Sequence, residues 1–164
     1  MRILGLDPGT ATIGFGIIEY DGNRYSLLDY GCIKTPAHTP LPERLKLIHK
    51  DLQSIIRTWK PAAIAIEEIF FSKNIKTGIQ VAQARGAIIQ QLSVARHNIA
   101  EYKPQQVKAA VCGYGKAEKT QVQKMVQLIL EMEEIPKPDD AADALALAIC
   151  HANSFKMQSL IASA

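Results

Sequence analysis

The chain has 164 residues, 48% of them hydrophobic and 21% charged, and its 19 basic and 16 acidic side chains give a net charge of +3. This balance is typical of a globular protein and excludes disordered and collagen-like chains. The apolar stretches are far shorter than the roughly 18 residues of a membrane span, and the three cysteines include no C-x-x-C pair. We therefore expect a single domain over residues 1–164 in the cytoplasm, with no membrane segment, disulfide framework or cysteine zinc site.

The first third of the chain has the pattern of an antiparallel β-meander. Residues 2–7 form an apolar run that ends in Asp-Pro-Gly-Thr, and residues 12–20 place glycines among large apolar side chains. Asp-Gly-Asn at 21–23 is a turn signal, so a third strand is predicted over 24–35.

The rest of the chain alternates helices with short strands. Apolar residues three or four positions apart predict a helix over 45–59, and the wholly apolar 62–66 is typical of a central strand buried on both faces. Further elements are predicted as a strand over 99–102 and helices over 75–96, 104–111, 120–132 and 139–153. This order predicts an α/β fold, a mixed five-stranded sheet flanked by helices on both faces.

Two carboxylates stand where the least polar strands end. Asp7 closes the first strand and Glu67 closes the fourth, which is where open α/β sheets place their chemistry. Strand alternation puts Gly5 on the face of Asp7, and Ala65 on the face of Glu67. Small residues beneath both acids predict that another element packs closely there.

The alanine-rich helix over 139–153 is the best candidate for that element. Asp140 and Asp143 share one of its faces, so docking it on the small residues brings both acids to Asp7 and Glu67. Four carboxylates about 4 Å apart would repel by roughly 1 to 4 kcal/mol per pair, and two divalent cations balance four negative charges. We predict that these four acids bind two Mg²⁺, or Mn²⁺ in their place, which would activate water for phosphodiester hydrolysis. Asp139 is instead expected to cap the helix or to interact favourably with the positive end of the helix dipole.

Five motifs in order along the chain resemble those of the RuvC-type crossover junction endonucleases. They are LGLDPGTATIGFG, AIEEIFFSKN, QARGA, QVKAAVCGYGKAEKTQVQ and DDAADALALA. The resemblance covers nearly the whole chain. It implies a ribonuclease H-like fold, a homodimer, and Mg²⁺-dependent paired nicking of four-way (Holliday) DNA junctions in recombination and repair. It also implies a branch-migration motor of the RuvA–RuvB type as partner.

The resemblance also assigns roles to individual residues. It implies the same four acids as metal ligands, Phe70 as an aromatic contact to bases at the junction centre, and Lys108 and Lys119 as basic groups near the scissile phosphate. Lys119 is expected to stabilise phosphate charge in the transition state. The predicted DNA-binding residues are Phe70, Lys73, Lys76, Lys108, Lys116 and Lys119. Of the Glu67-Glu68 doublet, strand alternation favours Glu67 as the ligand.

Three alternative functions can be compared with the sequence. An actin-like ATPase or sugar kinase shares the Asp-x-Gly-Thr opening, but needs a second phosphate loop in a duplicated domain. A nuclease that acts on RNA remains an alternative, whereas the four intact acids argue against a catalytically silent junction binder. For the homodimer, the predicted interface is the stripe of Ile79, Ala82, Gly86 and Ile89 on the helix over 75–96.

Overall fold

The computed structural model describes residues 1–69 and 75–162, and the side chains of residues 1–69 and 78–155. Five strands form one sheet in the order β3-β2-β1-β4-β5. The strands are Arg2–Asp7 (β1), Thr12–Tyr20 (β2), Tyr25–Lys34 (β3), Ala63–Glu67 (β4) and Ile99–Tyr102 (β5). β2 runs antiparallel to β1 and to β3, whereas β4 runs parallel to β1 and to β5. The predicted mixed five-stranded sheet is confirmed.

In the part of the chain that the structure describes, five helices cover the sheet. They are Leu41–Trp59 (α1), Ile75–Val94 (α2), Pro104–Cys112 (α3), Lys119–Ile129 (α4) and Asp139–Ala162 (α5). α1 begins earlier than predicted because Pro42 lies in its first turn, where the backbone N–H groups have no partner within the helix. Among these helices, none is both long enough and apolar enough to cross a membrane.

α4 ends earlier than the predicted residue 132. Glu131 adopts a positive φ of 51°, and the Met132 N–H donates to the Gln127 carbonyl at 2.9 Å. This left-handed residue followed by a long backward hydrogen bond is a Schellman ending, which satisfies the last carbonyls of the helix. α5, by contrast, continues past the predicted residue 153 to Ala162.

Strand alternation divides the core into two layers. Leu4 and Ile64 pack on one face of the sheet with Ile48 of α1 and Ile88 of α2. The opposite face packs against α3, α4 and α5, and its central contact is made by Ala65. β1 and β4 are buried between both layers, as their apolar sequences predict.

α5 rests directly on the backbone of β1 and β2. A Cβ atom at Gly5 would lie 1.9 Å from the Ala144 carbonyl oxygen, and one at Gly14 would lie 1.9 Å from the Asp140 carbonyl oxygen. Ala144 is fully buried in this contact. The predicted close approach of the alanine-rich helix is therefore confirmed, and it places the beginning of α5 over the end of β1.

We expect Gly5→Ala to destabilise the protein by about 3 kcal/mol or more, because the added methyl group must push the α5 backbone away. Gly86→Ala is the matched control: among the described residues nothing lies within 4 Å of a Cβ there. In an exposed helix that change should stabilise by about 0.5 to 1 kcal/mol. Denaturant unfolding of both variants measures the difference, and equal effects would contradict the backbone contact.

Candidate active site

Asp7 and Glu67 lie at the same edge of the sheet because they end neighbouring parallel strands. The β1–β4 register pairs Gly5 with Ala65 and continues to Leu6 and Ile66, one residue before each acid. Burial is the main cause that raises the pKa of Asp7 to about 8, followed by the negative charges of Glu67, Asp143 and Asp140. The two acids therefore face the layer that contains α5.

Glu67 has a similar environment. Burial and the charge of Asp143 raise its pKa to about 7, although Lys119 and Lys108 act in the opposite direction. Burial also raises the pKa of Asp143, against a hydrogen bond from Lys119. The charges of the acids on β1, β4 and α5 thus act on one another, which agrees with the docking of α5 on the small residues.

Lys119 is the first residue of α4 and joins this helix to α5. Its Nζ lies 3.0 Å from the Asp143 Oδ2 and 3.3 Å from the Asp139 Oδ2. Burial would lower the pKa of Lys119, but the hydrogen bonds and charges of Asp143 and Asp139 outweigh it and raise the pKa. Lys119 is thus the protein's own counter-charge to the cluster.

Asp139 is exposed and directed toward α4. Its Oδ1 accepts a hydrogen bond from the Gln123 Nε2 at 2.9 Å, while its other oxygen faces Lys119. It lies in the first turn of α5, where a negative charge is favourable for the helix dipole, as expected. The contacts with Gln123 and Lys119 give it a further role, that of tying α4 to α5.

A cavity of about 180 Å³ opens beside the cluster, between β4 and the helices α3, α4 and α5. Its charged lining consists of Glu67, Lys108, Lys119 and Asp143, and the rest is formed by Pro104, Val107, Val122 and Ala146. The structure therefore brings two predicted phosphate-binding lysines together with two predicted metal ligands. Alternating positive and negative groups in one small cavity can hold a phosphate and its counter-ions simultaneously.

The other predicted DNA-binding residues are less closely grouped. Lys116 is exposed on the loop before α4 and does not line the cavity. Lys76 belongs to the first turn of α2, but its side chain is outside the described residues, as are Phe70 and Lys73 entirely.

The donor set suits a hard divalent cation. All four candidate ligands are carboxylates, which Mg²⁺ and Mn²⁺ prefer, and a cation would relieve the repulsion that raises the pKa of Asp7. Among the described residues, no three acidic, histidine or cysteine side chains are gathered closely enough to share an ion as they stand. Lys119 already pairs with Asp143, so a cation that bound this carboxylate would compete with Lys119.

Two contacts near the acids were not foreseen from the sequence. The Arg85 Nε donates to the Glu67 carbonyl at 3.0 Å, and the Thr35 Oγ1 donates to the Thr10 carbonyl, in the loop after Asp7, at 2.9 Å. The sequence does contain one indication of the Arg85 contact. Arg85 is the arginine of QARGA, a charged residue among alanines and glycine in a helix that packs on the sheet.

The chain is similar to known proteins along most of its length. Residues 3–151 match the family model of crossover junction endodeoxyribonuclease RuvC. The chain is 56% identical to the enzyme of that name from Heliobacterium modesticaldum over 154 residues, which are 94% of this chain and 95% of the relative. It is 54% identical to the one from Halothermothrix orenii over 157 residues, which are 96% of this chain and 95% of the relative.

A solved structure gives the same result. The fold matches Thermus thermophilus RuvC in complex with a Holliday junction substrate at a TM-score of 0.91, with 35% identity and 97% of each chain covered. The match confirms the ribonuclease H-like fold that the motifs imply.

We expect the metal-free protein to lose stability as the pH rises from about 5 to about 8. Folding raises the pKa of Asp7 from 3.8 to about 8, so the folded state holds the Asp7 proton more tightly than the unfolded state does. The stability that this proton contributes is complete below pH 3.8 and is lost as the pH rises through about 8. Asp7→Asn should remove the part of this pH dependence that comes from Asp7, a decrease in the free energy of unfolding on the order of 3 kcal/mol over that interval. Denaturant unfolding of both proteins in EDTA measures it, and a stability difference that does not change with pH would contradict the carboxylate cluster.

Proposed function

The chain belongs to the RuvC family of crossover junction endodeoxyribonucleases and resolves four-way (Holliday) DNA junctions, and we propose that it does so by two-metal-ion hydrolysis at the carboxylate cluster. The observation that supports this mechanism best is the convergence of Asp7, Glu67 and the acids of α5 beside Lys108 and Lys119. The products are paired symmetric nicks.

The four acids have a common task in this proposal. Asp7, Glu67, Asp140 and Asp143 would hold two Mg²⁺, with Mn²⁺ able to substitute. When bound, such ions lower the pKa of an attacking water and stabilise the leaving oxygen of an in-line displacement. The protein's own contribution is to keep the acids together in a partly buried place where they repel one another.

Lys108 and Lys119 would bind the scissile phosphate. Both line the cavity that also contains Glu67 and Asp143, so their ammonium groups lie beside the candidate metal ligands. A positive charge there stabilises the negative charge that develops on the phosphate in the transition state. Phe70, Lys73, Lys76 and Lys116 are the further DNA contacts of this proposal.

Paired nicks on a nearly two-fold symmetric junction require two sites related by the same symmetry, so we include a homodimer in the proposal. Within the predicted interface stripe, Ile79 is 51% exposed and Gly86 is open, while Ala82 and Ile89 are half-buried. Val94, near the end of α2, is 73% exposed. The apolar exposure on this helix supports an interface there. The branch-migration motor and the cytoplasmic location also remain parts of the proposal.

We expect Glu67→Gln to reduce Mg²⁺-dependent nicking about 100-fold or more, because it keeps the side-chain volume and removes the ligand charge. Glu68→Gln is the matched control: Glu68 directly follows β4, its backbone N–H donates to the Tyr102 carbonyl, and continued alternation would turn its side chain away from that of Glu67. Cleavage of a synthetic immobile junction by both variants checks this. The reverse order of activities would show that the ligand is Glu68.

Asp7→Asn should abolish cleavage and leave junction binding unchanged or tighter, since it removes a metal ligand and a negative charge facing phosphates. Gel-shift and nicking assays with a four-way junction, a linear duplex and a structured RNA, each in Mg²⁺ and in EDTA, separate the two effects. A folded variant that loses binding in parallel with cleavage would show that Asp7 serves recognition, and nicking by the wild type in EDTA would overturn the metal mechanism.

A further inference from the structure

Arg85 connects α2 to the end of the strand that carries Glu67. Its Nε donates to the Glu67 carbonyl at 3.0 Å, and its guanidinium also pairs with the Glu101 carboxylate on β5. The Arg85 side chain is 15% exposed and that of Glu101 is 48% exposed. The arginine therefore bridges β4 and β5 from a largely buried position.

The peptide unit that follows Glu67 is held from both sides. Arg85 binds its carbonyl oxygen, while its N–H, which belongs to Glu68, donates to the Tyr102 carbonyl at 2.9 Å. The pairing of β4 with β1 extends only to Ile66, and the β1 chain continues with Pro8, which has no N–H to donate. Glu67 is thus at the end of the sheet's hydrogen bonding, where a backbone would otherwise fray.

We propose that Arg85 is a positioning residue for Glu67, and this inference rests on the proposed role of Glu67 as a metal ligand. By holding the peptide after Glu67, the guanidinium restricts the ψ angle of that residue and hence the position of the Cβ atom from which its carboxylate extends. Partners of this kind, which orient a ligand without touching the metal, commonly affect metal affinity as much as ligand chemistry does.

The arrangement requires arginine rather than any cation. The Nε of the planar guanidinium donates to the backbone carbonyl and its Nη2 pairs with Glu101, so two bonds from one rigid group hold it in one orientation. A lysine ammonium is a point donor on a flexible stem, and it would hold the Glu67 carbonyl less rigidly.

The test compares Arg85→Met, Arg85→Lys and the control Arg2→Met with the wild-type protein. Arg2 also forms an ion pair, with Glu19 at 3.4 Å, but it lies at the beginning of β1, away from the acids. Mn²⁺ binding is measured by electron paramagnetic resonance or calorimetry, and the exchange rate of the Glu68 amide by NMR, both without DNA.

We expect Arg85→Met to weaken Mn²⁺ binding about 10- to 100-fold and to accelerate exchange of the Glu68 amide. Arg85→Lys should show a smaller loss of affinity, and Arg2→Met none. If Arg85→Met fails to fold, Glu101→Gln, which removes only the anchor of the guanidinium, should give a partial loss in the same direction. Lower thermal stability with unchanged Mn²⁺ affinity and unchanged Glu68 exchange would reduce Arg85 to a packing residue.

The wild type and Asp7→Asn separate this inference from the proposed function. Wild-type Mn²⁺ binding that Asp7→Asn does not weaken would overturn the metal site itself. Wild-type binding that depends on Asp7, combined with an unchanged affinity in Arg85→Met, would overturn only the role of Arg85.

Discussion

The candidate active site depends on one contact, that of the α5 backbone with the glycines of β1 and β2. Gly5 and Gly14 leave no room for a Cβ atom beneath the helix. Because glycine has no side chain, α5 can lie close to the sheet at these positions. The close approach brings the acids of α5 near enough to Asp7 and Glu67 for their charges to interact. A residue as small as alanine at Gly5 would separate the two halves of the site.

This contact also explains how the protein tolerates four acids in one place. Burial and mutual repulsion raise the pKa of Asp7 and Glu67 well above their ordinary values, so the cluster opposes its own assembly. The apolar packing of α5 offsets the unfavourable free energy of these acids, and Lys119 provides a positive charge beside Asp143. The acids are therefore held near one another by their surroundings rather than by their own interactions.

Sequence reasoning predicted the sheet, its helices and the grouping of the acids, because these follow from periodic patterns. Alternation along β1 and β4 is enough to place Gly5 beneath Asp7 and Ala65 beneath Glu67. The contacts of Arg85 and Lys119 could not be predicted in this way. Each joins elements far apart in the chain, and depends on how one helix is rotated against its neighbours, which no local pattern encodes. The early end of α4 depends on a left-handed residue, Glu131, that is not a glycine.

The loop after Asp7 and the strand end at Glu67 both receive hydrogen bonds from arginines of α1 and α2, the helices opposite α5. Near Asp7, the Thr10 carbonyl accepts a hydrogen bond from Thr35 and lies 3.5 Å from the Arg44 Nη1 of α1. At Glu67, the carbonyl is held by Arg85 of α2. Helices on one face therefore contact the backbone at or near both strand ends, while α5 on the other face brings the remaining acids. Because α2 also exposes apolar side chains at its surface, a partner that shifted this helix would also move the donor at Glu67.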